Sequence, residues 1–321
     1  MANKLYDYLG NMLDDINYVT PEQYGAVGDG VADDTVAVQT AISQGCVKFT
    51  NGKTYKVTSP LRFKQDAFVD MNNATILSTS KRVFFNFEEG DSYGEYNGNG
   101  NIRIMNGTVV GGSVAFIHGR GIRLQNLHFK NCLNDHMMEI CACTDYVVEN
   151  CSFVGMEYLT TSVMEYINID TLAIYGAFPH NKAGQNDPVF YDSSVSDGIM
   201  VRNCYFSIGE GDYANGFNAF GSHSHATDNG YTKNVSFINN TVRGFTGCGV
   251  RVNAMDGAII DGNDIQVAGD GIRIGDTHDT KNTIIKDNYV VADGTNLVRT
   301  TGQYTNLTVS GNVTEGYTQE F

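Results

Sequence analysis

Three stretches of the chain place ionisable side chains at spacings that suit acid–base chemistry. The first is NDHMMEICA, residues 134–142. On a strand that turns Met138, Ile140 and Ala142 inward, Glu139 and Cys141 face outward, with His136 just ahead of them. The second is EYINID, residues 165–170. Inward Ile167 and Ile169 leave Tyr166, Asn168 and Asp170 facing out, and Glu165 stands at the strand start. The third combines YDSSVSDGI (191–199) with GEGDYANGFNAFGSHSHA (209–226), which supply Asp197, Glu210, Asp212, His223 and His225.

If the first two stretches lie on adjacent rungs of a stack, Glu139 comes within roughly 5–10 Å of Glu165 or Asp170. That is the separation a glycosidase carboxylate pair requires. Neighbouring carboxylates repel, so one pKa rises and that group can serve as general acid. Its partner stays ionised as base or nucleophile. Glu139, Glu165 and Asp170 are therefore the catalytic candidates. His136, Tyr166, Asn168, Asp197, Glu210, Asp212, His223 and His225 are the candidate substrate contacts. Tyr158, Tyr175, Phe178, Phe190, Tyr191, Tyr213, Phe217 and Phe220 are available to stack on sugar rings. No cofactor is expected. The acids leave Ca²⁺ as an alternative, whereas His223 and His225 lack an assured third ligand for a transition metal.

These residues need a scaffold, and internal repeats supply it. A unit of alternating apolar residues, an Asn, Asp or Gly, a small residue and another apolar one recurs. It reads IRIMNGTV (102–109), IRLQNLHF (122–129), YVVENCSF (146–153), IMVRNCYF (199–206), VSFINNTV (235–242), AIIDGNDI (258–265), TIIKDNYV (283–290) and LTVSGNVT (307–314). The polar slot falls at 106, 126, 150, 203, 239, 262, 287 and 311, in steps of 20, 24, 53, 36, 23, 25 and 24. A step of 20–25 is one coil of a parallel β-helix. The step of 53 reads as two coils plus an insertion, and the step of 36 as one coil plus about 12 residues. Stacked coils share a core, and Asn126, Asn150, Asn203 and Asn239 are expected to stack at a corner. Cys132, Cys151, Cys204 and Cys248 read as core fillers. The seven cysteines form no disulfide framework.

The N-terminal part differs. Residues 1–16 carry a weak amphipathic pattern. In GAVGDGVADDT (25–35) the glycines are turn formers, and Asp34 reads as the N-cap of a helix starting at Thr35. The expected organisation is an N-terminal segment with a capping helix over 1–45 and a β-helix over 46–321. Loop insertions are expected at about 154–198 and 207–234.

GAVGDGVADDT followed by a short helix resembles the opening of the pectate-lyase-like β-helix proteins of phage tailspikes and related polysaccharide depolymerases. The resemblance covers about residues 18–315. It implies an all-β, right-handed parallel β-helix with a short N-terminal capping helix. Such proteins are often homotrimers in phage and act on bacterial surface polysaccharides from a virion tail or extracellular location. The order H-x-x-E, E-x-I-x-I-D, Y-D, G-x-H also resembles a subgroup of phage and gut-bacterial β-helix proteins, which supports His136, Glu139, Glu165, Asp170 and His223.

Charge narrows the partners. The chain has 36 acids against 21 bases, a net charge of −15 over 321 residues. That argues against nucleic acid and against anionic membrane surfaces. No run of 18 apolar residues occurs, and residues 1–20 lack a basic stretch before an apolar core, so no membrane insertion and no signal peptide are expected. Residues 131–230 hold thirteen acids but only Lys182 and Arg202 as bases. That favours hydrolysis of a neutral or amino-sugar polymer over lyase cleavage of a polyuronate, which needs cations. A lyase is second, a non-catalytic glycan-binding adhesin third, and metal-assisted cleavage of a teichoic-acid phosphodiester fourth.

Overall fold

The computed structural model describes residues 17–87, 93–133, 136–157, 165–170, 192, 194–214, 216–222, 230–275, 278–292 and 297–315. The alternating segments form short parallel strands, each paired with the segment one coil earlier and one coil later. A coil has three sides. Residues Thr144–Glu149 and Ser152–Met156 make two of them, and Glu165–Asp170 makes the third. The third sides stack into a nine-stranded parallel sheet, and the first two merge into a twenty-stranded one because strands such as Arg120–Cys132 run through the corner between them. Inward side chains fill the interior in layers. Phe129, Phe153 and Phe206 stack face to face, with ring centres 5.0 and 4.9 Å apart. One coil cannot bury this surface alone, which is why stacking is obligatory.

The polar slot of the repeat has a backbone cause. All eight slot residues adopt positive φ, from 53° at Asn126 and Asn239 to 66° at Gly311. Asn, Asp and Gly tolerate this left-handed turn, and β-branched residues do not. The expected Asn stack is displaced by one residue. Asn203 and Asn239 are exposed, and the ladder runs through buried Asn240, Asn263 and Asn288 to half-buried Asn312. Each Nδ2 donates to the next Oδ1, at 3.1, 2.8 and 2.8 Å. Cys151 and Cys204 occupy the same position in earlier coils. Of the four residues expected to stack, Asn126 does bond side chain to side chain, but to Asn106 one coil earlier, at 3.0 Å.

A second left-handed column went unread in the sequence. Asn101, Gly121, Asp145, Gly198, Asn234, Gly257, Asn282 and Asn306 all have positive φ. From Gly121 onward each stands where the register passes over it on both strands, between Arg120↔Thr144 and Ile122↔Tyr146 for example. Neither strand gains a residue, so register is kept and the same kink repeats from coil to coil.

The step of 53 also needs correction. Thr144–Glu149 pairs directly with Asp197–Arg202, so one coil, not two, separates Asn150 from Asn203, and the remainder is insertion. The step of 36 is one coil, since Asp197–Arg202 pairs directly with Thr232–Ile238.

At the N-terminus, helix Thr35–Ile42 buries Val38, Ala41 and Ile42 against the first strands. Asp34 stands at the N-cap, but its side chain bonds no helix amide. It accepts from Val27 N at 2.7 Å and Gly28 N at 3.0 Å instead, tying the glycine loop to the helix start. Gly25, Gly28 and Gly30 have positive φ, as turn formers do. The cysteines are free, and all but Cys46 are buried. No helix among the described residues is long and apolar enough to cross a membrane.

Candidate functional site

The nine-stranded sheet carries polar columns on the side away from the core. Its strands run Leu61–Arg62, Arg82–Phe85, Ser113–Ile117, Met138–Cys141, Glu165–Asp170, Asn218–Gly221, Cys248–Val252, Asp270–Ile274 and Val298–Thr300. A Cβ at Gly249 or Gly271 would strike the core side chains of Ile265 or Val290. These glycines therefore mark the inner face, and polar residues beside them take the outer one. Register gives one column as Glu165, Asn218, Cys248, Asp270. The next is Glu139, Asn168, Gly221, Arg251, Arg273, Arg299. A third pairs Cys141 with Asp170.

Glu139 is 7% exposed and stands 3.4 Å from the Arg82 guanidinium. Asp170, half-buried, is one rung and two residues away, about 8 Å between Cα atoms from rung spacing and strand rise. Cys141 lies beside both. Burial first, then the charges of Glu139 and Asp170, push its thiol well above the usual value. Glu165 is three residues and one rung from Glu139, about 11 Å by the same geometry. It is fully buried. Its Oε1 accepts from Asn218 at 3.0 Å and Arg251 at 3.2 Å. His136 Nδ1 lies 2.7 Å from the Glu165 carbonyl oxygen and 3.9 Å from Oε2. A carbonyl only accepts, so Nδ1 is the donor in this contact.

The structure thus gathers His136, Glu139, Glu165, Asn168 and Asp170 on one face. The other described candidates lie elsewhere. Tyr166 turns inward: it is fully buried, with its ring 4.7 Å from Phe245 at 75°. Phe220 is buried against Phe237. The strand turns a corner at its start, so strict alternation fails at residue 166. Asp197 lies on the twenty-stranded sheet and accepts from Asn234 at 2.7 Å. Glu210 and Asp212 are exposed at a short turn, Gly211–Tyr213. His223 and His225, with Tyr158, Tyr175, Phe178, Phe190 and Tyr191, lie outside the described residues. Cys248 is buried but outside the core cluster, its Sγ 2.9 Å from Asn218 Oδ1. No three His, Cys, Asp or Glu side chains among the described residues come together as a metal site.

Sequence reading missed Arg82, Asn218, Arg251, Asp270 and Arg273. All but Asn218 lie outside residues 131–230, yet stacking brings all five to the same face. Asp270 accepts from Arg273 at 2.8 Å and Arg299 at 3.4 Å. A signal was present: GVRV (249–252), GIRI (271–274) and LVRT (297–300) put an arginine in the same slot of successive coils. Chemically, the face offers carboxylates flanked by guanidiniums, a set that bonds hydroxyls in both directions and can move protons.

No protein-family model matches the chain. Two curated proteins resemble it. One is the plasmin and fibronectin-binding protein A of Streptococcus pneumoniae, 26% identical over 78% of this chain and 40% of that protein. The other is a capsule K30/K69-specific depolymerase of Klebsiella phage K64-1, 30% identical over 41% of this chain and 20% of that protein. The chain therefore spans well under half the length of either. Among solved structures, the pneumococcal surface adhesin PfbA superposes with a TM-score of 0.76 at 20% identity, covering 95% of this chain and 80% of that one. A mutant tailspike of E. coli bacteriophage HK620 superposes with a TM-score of 0.64 at 13% identity, covering 96% and 60%. Another mutant of that tailspike was solved in complex with a pentasaccharide, with a TM-score of 0.63 at 14% identity, covering 92% and 57%. The chain has the pectate-lyase-like, right-handed parallel β-helix fold that these proteins share.

Proposed function

We propose that the outer face of the nine-stranded sheet binds a bacterial surface polysaccharide and hydrolyses its glycosidic bonds, with Glu139 and Asp170 as the carboxylate pair. The observation that carries this reading is their placement on adjacent rungs of one face, at a backbone separation of about 8 Å. Side chains reaching out from such positions can place two carboxyl groups on either side of one glycosidic bond. Glu165 acts as a positioning residue in this reading. Its carboxylate is held by Asn218 and Arg251, and its carbonyl accepts from His136 Nδ1. The depolymerase among the relatives and the pentasaccharide-bound tailspike support a glycan partner. A homotrimer on a virion tail or an extracellular surface belongs to the same proposal, and light scattering of the full chain tests the assembly.

One observation favours a second reading. Arg251 and Arg273 supply the cations that residues 131–230 lack, so a polyuronate lyase is chemically open on this face. A non-catalytic adhesin is the third outcome, in keeping with the similarity to PfbA. The test is incubation of the chain with a panel of capsular, O-antigen and teichoic-acid polymers. Shorter polymer with new reducing ends and no ultraviolet absorbance supports the hydrolase. New absorbance from unsaturated sugar moves the reading to a lyase. Intact polymer that co-elutes with the protein overturns both catalytic readings.

A further inference from the structure

Four Asn–Gly pairs fall on described residues: Asn51–Gly52, Asn97–Gly98, Asn99–Gly100 and Asn106–Gly107. The backbone nitrogen that follows an asparagine can attack the side-chain amide carbon. Glycine, with no Cβ, hinders that attack least. The fold decides which pairs are free to react.

Three pairs are held. Asn106 lies in strand Arg103–Val110, its Nδ2 donating to Asp70 at 3.0 Å and its Oδ1 accepting from Asn126 at 3.0 Å. Gly107 is buried against Met71. Asn97 Oδ1 accepts from Gly94 N at 2.9 Å, and Gly98 N donates to the His118 carbonyl at 2.9 Å. Asn99 Nδ2 donates to Asn86 O at 2.8 Å and to Tyr93 at 2.7 Å, and Gly100 N donates to Gln65 Oε1 at 2.8 Å.

Asn51 and Gly52 form the middle of a turn between strands Cys46–Lys48 and Thr54–Val57, closed by Lys53 N donating to Thr50 O at 3.3 Å. Gly52 has φ 71°, the left-handed third position of such a turn. Both residues are exposed. Among the described residues, neither the Asn51 side chain nor Gly52 N makes a hydrogen bond. A Cβ on Gly52 would meet nothing within 4 Å, so a ring has room to close and water can reach it.

We propose that Asn51 is a site of spontaneous deamidation. Gly52 N gives up its proton and bonds to Asn51 Cγ, the Cγ–Nδ2 bond breaks, and ammonia leaves. Water then opens the succinimide at either carbonyl, giving aspartate or isoaspartate. The net change is loss of ammonia and gain of water, and each product adds one negative charge beside Lys53. Isoaspartate also lengthens the main chain of the turn by a methylene, which loosens the Thr50–Lys53 closure. The change reaches the N-terminal cap, because Tyr55 OH accepts from Thr50 N at 3.3 Å and donates to Glu22 at 2.5 Å.

The test holds the full chain, native and urea-unfolded, in mildly alkaline buffer and follows tryptic peptides by mass spectrometry. Lys48 and Lys53 release Asn51 on residues 49–53. In the native chain Asn51 is expected to convert about tenfold faster than Asn106 or more, because Asn106 must wait for its strand to open. In urea the four sites should converge to within about threefold. Asn51→Gln, whose longer side chain would have to close a six-membered ring, should remove the first acidic band on isoelectric focusing. An Asn51 that stays an amide in the native chain while converting in urea overturns the proposal. So does native conversion of Asn106 at the same rate as Asn51, or an acidic band that persists in Asn51→Gln.

Discussion

Glu165 is enclosed between Asn218 and Arg251 with no exposed surface, whereas Glu139 stands beside Arg82 and keeps some exposure, 7%. The two acids should therefore respond differently to the same substitution. Glu139→Gln and Asp170→Asn are expected to reduce turnover about 10²–10⁴-fold while polymer binding persists. Kinetics beside a co-elution assay measure both. Glu165→Gln removes the carboxylate charge that Arg251 faces in a buried setting and should cost about 3 kcal/mol of stability, read from urea unfolding. If Glu165→Gln instead kills turnover in a fully stable protein, the positioning role is wrong. The thiols give a further check. Burial raises the Cys143 pKa to about 12 and pushes Cys248 and Cys141 up as well. Native chain at pH near 8 should thus yield one thiol to a disulfide reagent, Cys46, and all seven only after denaturation. Glu139, Glu165 and Asp170 were legible in sequence because alternation within a strand is local. Arg251 was not, since only the coil count between residues 165 and 251 reveals that they meet.

At the scale of the coil, the left-handed slot predicts which substitutions are tolerated. Asn203→Gly should be neutral within a few tenths of a kcal/mol, whereas Asn203→Val should cost about 1–2 kcal/mol. Thermal melts of the two variants decide this, and equal melting temperatures would contradict the backbone account. The neighbouring ladder is more demanding. Asn263 accepts from Asn240 N at 2.8 Å and donates to Asn288 at 2.8 Å and Phe237 O at 2.9 Å. Asn263→Ala leaves several buried groups unsatisfied, at about 2–4 kcal/mol. The period of 20–25 made the coil readable, yet the buried Asn sits one residue past the slot. Composition cannot separate the two adjacent positions, because Asn suits a left-handed turn and a buried ladder equally well. The step of 53 misled for a related reason. Two short coils with a small insertion and one coil with a large one have the same length, and only strand pairing tells them apart.

Across the whole molecule, the net charge of −15 is relieved locally by acid–base pairs between rungs. Burial opposes ionisation of Glu149, but the Gln125 amide and the Arg202 guanidinium outweigh it and hold its carboxyl below the ordinary value of 4.5. Asp33 is likewise lowered, by Thr35 and Thr58. A folded pKa below the unfolded one stabilises fully above the ordinary carboxylate range and is lost as pH falls through the lowered value. Stability should therefore decline below about pH 4.5, and Glu149→Gln should flatten that decline in acid-unfolding curves. A decline unchanged in the variant would remove Glu149 from the account.

Among the described residues the strand Tyr304–Ser310 pairs with Thr280–Lys286, and its own residues are largely exposed. In Ile122–Leu124, by contrast, Ile122 and Leu124 are fully buried. Strands with few buried side chains open locally at lower cost than those packed into a shared core. Amide hydrogen exchange should accordingly follow burial from coil to coil: deuterium enters Tyr304–Ser310 sooner than the Ile122–Leu124 region.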